Sequence, residues 1–280
     1  MAIKAFFQKF FLGAVVTAGL VPLFYFVSME IQTAQASPED STEIVSEWLS
    51  PDRQVDNVAF GVGEKLEFDI NYGFINAGTA SMEVSRLVQY HERPCYQIVT
   101  RANSNSFFST FYKVEDRVES IMDAVGLYSR RFEKNLREGS YSADRVYTFD
   151  QENNTVQYQD DTIAVPPVVQ DAISVMYFVR TMDLQVGQSV FLDNFTDGEH
   201  YPLEVKVLER ETVEVKAGRF DCLVVEPMTQ SVGVFRYEGR LKVWLTDDRV
   251  KMPVLMKSKV IVGSISAELT SYQLGDIDFF

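Results

Sequence analysis

The stretch GEKLEFDINYGFINAGTASMEV, residues 63–84, decides the fold of this chain. From Leu66 to Phe74 every second residue is apolar, and after a break around Gly78 the alternation resumes as far as Val84. Because side chains on a β-strand point to alternate faces, this pattern predicts a hairpin with one apolar and one polar face. The apolar face covers either an ordinary packed core or the wall of a cavity. The residues predicted to line such a cavity are Leu66, Phe68, Ile70, Tyr72, Met176 and Tyr177.

Most of the chain after this hairpin repeats the β pattern. Segments rich in Val, Ile, Tyr, Phe and Thr are divided by short breaks of Gly, Asn, Asp and Pro. One break, at residues 209–211, predicts a tight turn between two short strands. The predicted fold class is therefore mainly β: an antiparallel meander that forms a curved sheet or an incomplete β-barrel of about ten or more strands.

One segment, VVQDAISVMYFVRTMDL at residues 168–184, has a different period. Ala172, Ile173, Met176 and Tyr177 fall at the spacings of three and four that are typical of a helix. Asp171 stands in the first turn, where a carboxylate interacts favourably with the helix dipole. We predict one amphipathic helix, over about 168–182, that lies across the sheet or plugs the barrel.

The first residues have the pattern of a secretory signal. Lys4 and Lys9 precede an uncharged apolar run, and Ala34-Gln35-Ala36 has the small-x-small form of a cleavage site. We predict an exported, periplasmic protein. The alternative is an inner-membrane anchor formed by an uncleaved segment at 10–28, because this run approaches the length that spans a bilayer. The predicted organisation is a signal peptide (1–36), an acidic linker (37–60) and a single β-rich domain (61–275).

The charge of the chain excludes one class of partner. It has 26 basic and 40 acidic residues, a net charge of −14. A surface this acidic repels nucleic acid and anionic lipid headgroups. We expect no nucleic-acid partner, and contact with a membrane only through the amino-terminal segment.

Cys95 and Cys222 are the only two cysteines, and both stand in strand-like segments. An exported protein meets oxidising conditions, which favour a disulfide between them. The alternative is two separate buried thiols that pack as small hydrophobes. Both alternatives stay open at this point, because the sequence does not supply the distance between the two residues.

Enzyme signatures are absent from the sequence. It has no Gly-x-Ser-x-Gly elbow, no His-Glu-x-x-His, no phosphate loop and no dinucleotide fingerprint. His91 and His200 stand in turn-like segments, and the acidic run at 193–199 has Phe195 where a calcium loop needs an oxygen ligand. We predict no catalytic residue, no metal site and no cofactor.

Two charged residues are predicted to be interior polar anchors, Asp116 and Arg180. Asp116 shares a strand face with Val114 and Val118, so its carboxylate either points inside or marks the wet end of the strand. An interior carboxylate needs a partner, and it serves either as an anchor in a binding cavity or as half of a structural ion pair. The candidate partners are Arg130, Arg131, Arg145 and Arg180.

Aromatic residues cluster in NSFFSTFY, residues 105–112. Phe107 and Phe108 in this run are predicted to form an exposed loop that binds a partner. The alternative is the start of a strand that enters the core.

Several motifs occur in a characteristic order. They are GEKL at 63–66, AGTA at 77–80, QDAIS at 170–174 with Tyr177 and Arg180, GRFDC at 218–222, and WLTDD at 244–248. In these motifs, over about residues 61–273, the chain resembles the bacterial family catalogued as domain of unknown function 3108. The resemblance implies an exported envelope protein with a β-rich fold and no assigned functional residue. In architecture alone, the chain is also similar to the incomplete barrels of periplasmic lipoprotein carriers.

The predicted function is a non-enzymatic envelope module that binds an apolar or amphipathic, lipid-like ligand or a protein partner. The first alternative is a structural or assembly protein that docks an envelope complex through a sheet edge or the aromatic loop. The second alternative, a hydrolase-like enzyme, is disfavoured by the missing motifs.

Overall fold

The computed structural model describes residues 49–228, 241–259 and 263–277. The predicted signal peptide, its alternative as an uncleaved anchor, and the linker up to residue 48 lie outside the described residues. Within the described ranges the chain is almost entirely β-sheet with two short helices. No helix there has the length and apolar character that crossing a membrane requires.

The elements are numbered in chain order. The strands are β1 (Lys65–Tyr72), β2 (Ile75–Tyr90), β3 (Arg93–Ser104), β4 (Glu115–Asp123), β5 (Ser129–Glu138), β6 (Tyr141–Asp150), β7 (Thr155–Tyr158), β8 (Asp161–Ala164), β9 (Ser189–Thr196), β10 (Glu199–Val215), β11 (Gly218–Met228), β12 (Leu241–Thr246), β13 (Pro253–Lys259) and β14 (Ser264–Gln273). The helices are α1 (Ser106–Ser109) and α2 (Ser174–Thr181).

The described strands form one 14-stranded sheet in the order β8-β7-β6-β5-β4-β3-β2-β1-β14-β13-β12-β11-β10-β9. β1, the strand predicted from the opening stretch, pairs with β2 on one side and with β14 on the other. The first hairpin therefore joins the two halves of the chain at the centre of the sheet. The predicted fold class, a mainly β antiparallel meander that forms a curved sheet, is confirmed.

A short segment before α2 links the far edge of the sheet to its interior strands. Gln170 donates its main-chain N–H to Asp193 O at 2.9 Å and accepts from Phe195 N at 2.7 Å, which makes a parallel bridge to the edge strand β9. Its side chain donates to Leu127 O at 2.7 Å, in the connection between β4 and β5. Because these bonds join strands that are distant in the sheet order, the sheet curls into an incomplete barrel.

The barrel has two chemically different ends, because an antiparallel chain reverses alternately at one end and at the other. One end carries α2 and the stretch before β1, and we call it the plugged end. The other end we call the hairpin rim. Among the described residues, the hairpin rim includes 73–76, 105–114, 138–141 and 197–198.

The core explains what the apolar row of the opening stretch covers. Leu66 and Phe68 are fully buried in the largest apolar cluster, together with Tyr177 of α2. The ring of Phe60 lies edge-on to the Tyr177 ring, with 4.8 Å between the two ring centroids, and to the Tyr96 ring at 5.4 Å. The first half of the row thus faces packed aromatic side chains.

The side chains of this apolar row become more exposed toward the hairpin rim. Ile70 and Tyr72 are half-buried, and Phe74 in the hairpin turn is completely exposed. Met176 on α2 is partly buried against the core. The cavity that these residues are predicted to line stays a prediction.

β11 and β12 are buried on both faces. Val224 and Trp244 belong to the largest cluster, whereas their neighbours Leu223, Val225 and Val243 belong to a second cluster below α2. An uninterrupted apolar run is typical of a strand covered on both sides. The sequence shows such a run in CLVV at 222–225.

α2 is shorter than the predicted helix at 168–182. Val168 has a left-handed backbone with φ 53°, and the following residues form the bridge to β9. The Asp171 side chain accepts the N–H groups of Ile173 and Ser174 at 2.8 and 2.9 Å, so the helix begins only there. The helical spacing did not reveal that the segment before Asp171 is used for main-chain pairing.

The predicted turn at 209–211 is wrong. β10 continues through it, and a β-bulge shifts the register between Val207 and Glu209. A bulge inserts one residue into a continuous strand, and in the sequence it looks like a break.

For the two cysteines, the structure shows the alternative of separate buried thiols and no disulfide. Cys95 lies on β3 and Cys222 on β11, with five strands between them in the sheet order. Burial raises the pKa of each thiol to about 12, which keeps both in the unreactive thiol form.

The described part of the predicted linker packs on the domain. Val55 N donates to Val125 O at 2.9 Å, and the Arg53 guanidinium lies 4.7 Å from the centre of the Phe178 ring. Ala59 and Phe60 are fully buried. The packed domain therefore begins before residue 61.

A buried ion pair locks the plugged end. Arg180 and Glu64 both have fully buried side chains, and the guanidinium donates to both carboxylate oxygens, at 2.8 and 2.6 Å. It also donates to Ala59 O at 3.0 Å and to Val250 O at 3.1 Å. One side chain of α2 therefore binds the stretch before β1 and the connection between β12 and β13.

Removal of one partner of this pair is expected to leave an uncompensated buried charge. Arg180→Leu should lower the free energy of unfolding by about 3–5 kcal/mol, and the double variant Arg180→Leu, Glu64→Leu should recover most of that loss. Urea unfolding followed by circular dichroism measures both values. The matched control is Arg210→Leu, which removes an exposed pair with Asp247 of the same 2.6 Å length. An equal loss in the two single variants would show that the buried pair does not hold the plugged end.

Candidate functional site

The hairpin rim is organised around the connection between β3 and β4. Asn105 caps α1 by accepting Phe108 N at 2.9 Å, and its amide donates to Asn76 O at 2.7 Å. Its main-chain N–H donates to Ala77 O at 2.9 Å. These bonds tie α1 to the tip of the β1–β2 hairpin, so the two loops form one surface.

The aromatic residues of the connection that contains α1 divide between that surface and the interior. Phe107 is 64% exposed and Phe111 is 38% exposed, and their ring centroids are 5.5 Å apart. On the neighbouring hairpin tip, Phe74 is completely exposed and Ile75 is 57% exposed. We call Phe74, Ile75, Phe107 and Phe111 the apolar rim.

Phe108, in contrast, is buried. It forms a small cluster with Ala77, Tyr112 and Val114 that is separate from the main core. The predicted partner loop of Phe107 and Phe108 is therefore corrected: Phe107 faces solvent and Phe108 anchors the loop. One residue of helical rotation moves a side chain by about 100°, so adjacent residues face different directions.

Beneath this cluster lie two carboxyl groups. Asp116 on β4 and Glu138 at the end of β5 are both buried, with 7% and 2% of their surfaces exposed. Asp116 accepts Arg137 N at 2.8 Å, and the two carboxyl groups hydrogen-bond to each other. Among the residues that the structure describes, no N–H or hydroxyl group donates to the Oε2 atom of Glu138. The two residues therefore form a buried acid pair.

Burial and the adjacent Asp116 charge raise the pKa of Glu138 to about 7, against the smaller opposing effect of Lys134. Burial also raises the pKa of Asp116, although the Arg137 N–H and the hydrogen bond from Glu138 oppose this shift. Two carboxylates in contact cannot both ionise without a large free-energy cost. As the pH falls through about 7, the pair therefore takes up one shared proton.

Tyr112 covers the acid pair. Its ring packs on Gly139, where an added Cβ atom would stand 2.6 Å from a ring carbon and where φ is 61°. Gly139 N donates to Lys113 O at 2.7 Å and holds the cover in place. Burial and the nearby Glu138 and Asp116 charges raise the pKa of Tyr112 to about 12.

The basic side chains near the acid pair form ion pairs with other carboxylates. Lys134 on β5 is buried and binds Asp197 at 2.7 Å, and Arg145 on β6 binds the same oxygen at 3.0 Å. Burial lowers the pKa of Lys134, and Asp197 opposes that effect. The Arg137 guanidinium binds Asp144 at 2.8 Å.

The arginine partner expected for Asp116 is not found among the described residues. Arg130 binds Glu152 and Arg131 binds Glu133. Arg145 binds Asp197, and Arg180 lies at the plugged end with Glu64. The partner of Asp116 is instead another carboxyl group, because the strand register places Val114 opposite Glu138.

The predicted site residues therefore separate between the two ends. Asp116 and Phe107 lie at the hairpin rim, whereas Leu66, Phe68, Tyr177 and Arg180 belong to the core and the plugged end. The sequence reasoning missed Glu138, Lys134 and Tyr112. The available signal was the even spacing of Phe132, Lys134 and Glu138, which puts two charged residues on the inward face of a strand.

Other candidate chemistry lies outside this site. His200 Nε2 is 2.7 Å from Asp193 Oδ1 in the β9–β10 hairpin, and Asp197 in its turn is bound by Lys134 and Arg145. Over 49–228, 241–259 and 263–277, no group of three or more His, Cys, Asp or Glu residues is placed to hold a metal ion.

Residues 67–270 match the family model described as protein of unknown function, DUF3108. The chain is a member of the DUF3108 family. Among curated proteins, none matches the sequence.

The solved structures similar to this DUF3108 protein have low sequence identity to it. A β-barrel-like protein of domain of unknown function DUF1849 from Brucella abortus is 10% identical, with a TM-score of 0.51. That similarity covers 78% of this chain and 100% of the other. A protein with a YmcC-like fold from Bacteroides fragilis is also 10% identical, with a TM-score of 0.35 over 78% of this chain and 99% of the other.

Phe107 and Phe108 in the hairpin rim should respond differently to substitution. Phe108→Ser removes a buried ring, so it should lower the free energy of unfolding by about 3 kcal/mol or more, whereas Phe107→Ser should change it by less than about 0.5 kcal/mol. Urea unfolding measures both. Equal effects of the two substitutions would contradict the placement of Phe108 in the interior.

The acid pair should make stability depend on pH. Glu138 has a folded-state pKa raised above its unfolded value of 4.5, so its stabilising contribution is complete below about pH 4.5 and is lost as pH rises through 7. Relative to Glu138→Gln, the wild type should lose up to about 3 kcal/mol of unfolding free energy between pH 4.5 and pH 8. Glu115→Gln, at an exposed residue of the same region, is the control. Parallel stability curves for wild type and Glu138→Gln would refute the shared proton.

Proposed function

We propose that this DUF3108 protein is an exported, non-enzymatic module that binds an amphipathic, lipid-like ligand at the hairpin rim. The observation that carries the proposal is that Phe107 and Phe111 of the apolar rim stand on the same loop as Tyr112, which covers the buried acid pair. An apolar surface next to a few convergent polar groups is the usual composition of a small-molecule site.

The apolar rim suits the chain of such a ligand. Phe74 is completely exposed, and Ile75, Phe107 and Phe111 on the two joined loops are also in contact with water. Covering apolar surface contributes roughly 25 cal/mol per Å², so an acyl chain of ordinary length gains several kcal/mol on such a surface. The hydrogen bonds between Asn105 and Asn76 hold the two loops together before any ligand arrives.

The polar groups below the rim suit the head of the ligand. The acid pair and the Lys134–Asp197 pair lie inside the barrel, and the covering cluster of Phe108 and Tyr112 is small and separate from the main core. Local opening of a small cluster costs less than opening of the core. Export is supported by the charged and apolar pattern of the first 36 residues, with Ala34-Gln35-Ala36 as the cleavage site.

A second candidate is an assembly protein that docks an envelope partner through a sheet edge. The edge strand β9 favours it, because Phe191 on that strand is 71% exposed and the bridge from Gln170 occupies only its carboxyl-terminal part. An exposed edge is a template for pairing with another chain. The two candidates predict different sensitive residues.

Binding to the mature chain, residues 37–280, tests the proposal with a fluorescent probe that carries a long alkyl chain and an uncharged head. We expect the wild type to take up the probe, and the double variant Phe74→Ser, Phe107→Ser to bind it at least tenfold more weakly. Both rim residues are exposed, so this variant should remain folded. Phe191→Ser is the matched control, because it removes an equally exposed ring from the opposite part of the sheet order.

Absence of uptake by the wild type, together with no lipid in mass spectra of protein purified without detergent, would overturn the ligand-binding proposal. So would an equal loss of binding in Phe191→Ser. Crosslinking to an envelope protein that is abolished by Phe191→Ser, and retained by the rim variant, would support the assembly function instead.

A further inference from the structure

The buried acid pair has an unbalanced charge. Asp116 receives one main-chain N–H, and in the described part of the chain no group donates to the Oε2 atom of Glu138. Lys134 and Arg137 are basic residues whose charges act on the pair, and both bind other carboxylates, Asp197 and Asp144. Within the described residues, a proton alone neutralises the second carboxyl group.

A proton in such a place can be exchanged for another cation. Buried carboxylates require a positive partner, and a pair of them is stable only with one shared proton or one bound cation. An ammonium group has three N–H donors and no acceptor, so it can satisfy the Glu138 oxygen and the Asp116 oxygens together. A neutral hydroxyl or a carboxylate head supplies neither that charge nor three donors.

We propose that Asp116 and Glu138 form the subsite for the ammonium head of an amphipathic amine whose apolar chain lies on the apolar rim. This inference rests on the proposed function, because it names the class of ligand for the same site.

The geometry allows head and chain to be held together. The acid pair lies below Tyr112, and Phe111 of the apolar rim is the adjacent residue in sequence. The head group enters when Tyr112 lifts from Gly139, and the chain then follows the exposed rings of Phe111 and Phe107. The cover is joined to the β5–β6 turn through the bond from Gly139 N to Lys113 O.

The charges around the subsite set its pH dependence. Asp116 faces Glu138 from β4, Tyr112 faces it from the covering loop, and Lys134 lies further in on β5. Tyr141 is paired with Glu138 from β6, and the charges of Arg145 and Asp197 lie beyond Lys134. Because Glu138 takes up a proton near pH 7, the ammonium ion must compete with that proton at lower pH.

Three probes with the same twelve-carbon chain test this inference: dodecylamine, dodecanol and dodecanoate, each used below its solubility limit and, for the two ionic probes, below the micelle concentration. Isothermal titration of the mature chain at pH 8 should show dodecylamine binding at least tenfold more tightly than dodecanol, with dodecanoate the weakest. At pH 5.5 the amine is still fully charged, since alkylammonium groups ionise near pH 10, and its advantage should fall to threefold or less.

Two variants localise the effect. Glu138→Gln and Asp116→Asn should each remove most of the preference for the amine and leave dodecanol binding within about twofold. Glu115→Gln, at the exposed neighbour, should keep the preference. The pH dependence of the wild type needs no variant, so it tests the inference even if a substituted pair fails to fold.

The outcomes separate the two proposals. If all three probes bind the wild type equally, or if dodecanoate binds most tightly, the ammonium subsite is overturned while the ligand-binding function stands. If none of the probes binds, the proposed function itself is overturned. A preference for the amine that is unchanged at pH 5.5, or retained in both acid-pair variants, also overturns the subsite.

Discussion

The buried pair of Arg180 and Glu64 is the interaction on which the rest of the structure depends. It joins α2 to the residue that precedes β1, and the same guanidinium binds the main chain at Ala59 and Val250. A fully buried charge is stable only when its partner is aligned with it, so this pair sets where the helix lies relative to the central strand. One end of the barrel is therefore closed by polar bonds as well as by apolar packing.

The hairpin rim, at the other end of the barrel, is held by fewer buried contacts. At the hairpin rim, the connection with α1 is anchored by one buried ring, Phe108, and leaves Phe107 and Phe111 in water. Among the described residues, no basic side chain forms an ion pair with the acid pair below it, in contrast to Glu64, which is bonded through both oxygens. This difference in charge balance is the reason that the hairpin rim is the end proposed to bind a ligand.

The sequence predicted most local structure correctly but did not predict which distant residues make contact. The alternation from Leu66 to Phe68 predicted β1 and its buried face, and the family motifs predicted membership in DUF3108. The same alternation placed Phe74 on that face, yet Phe74 stands in a turn beyond the end of the strand. The helical spacing around Tyr177 identified α2 but not its start, because Asp171 ends a segment whose main chain pairs with β9.

By itself the sequence determined the mainly β class, the central hairpin and one amphipathic helix, since each depends on the period of apolar residues within a short segment. Only the tertiary structure decided that Arg180 binds Glu64 and that Asp116 meets Glu138. It also decided that Cys95 and Cys222 stay apart. Those outcomes follow from the order and register of strands far apart in the chain, which no local period encodes. The charge balance of a buried site is a property of that register, and here it distinguishes the closed end of the barrel from the end proposed to bind a ligand.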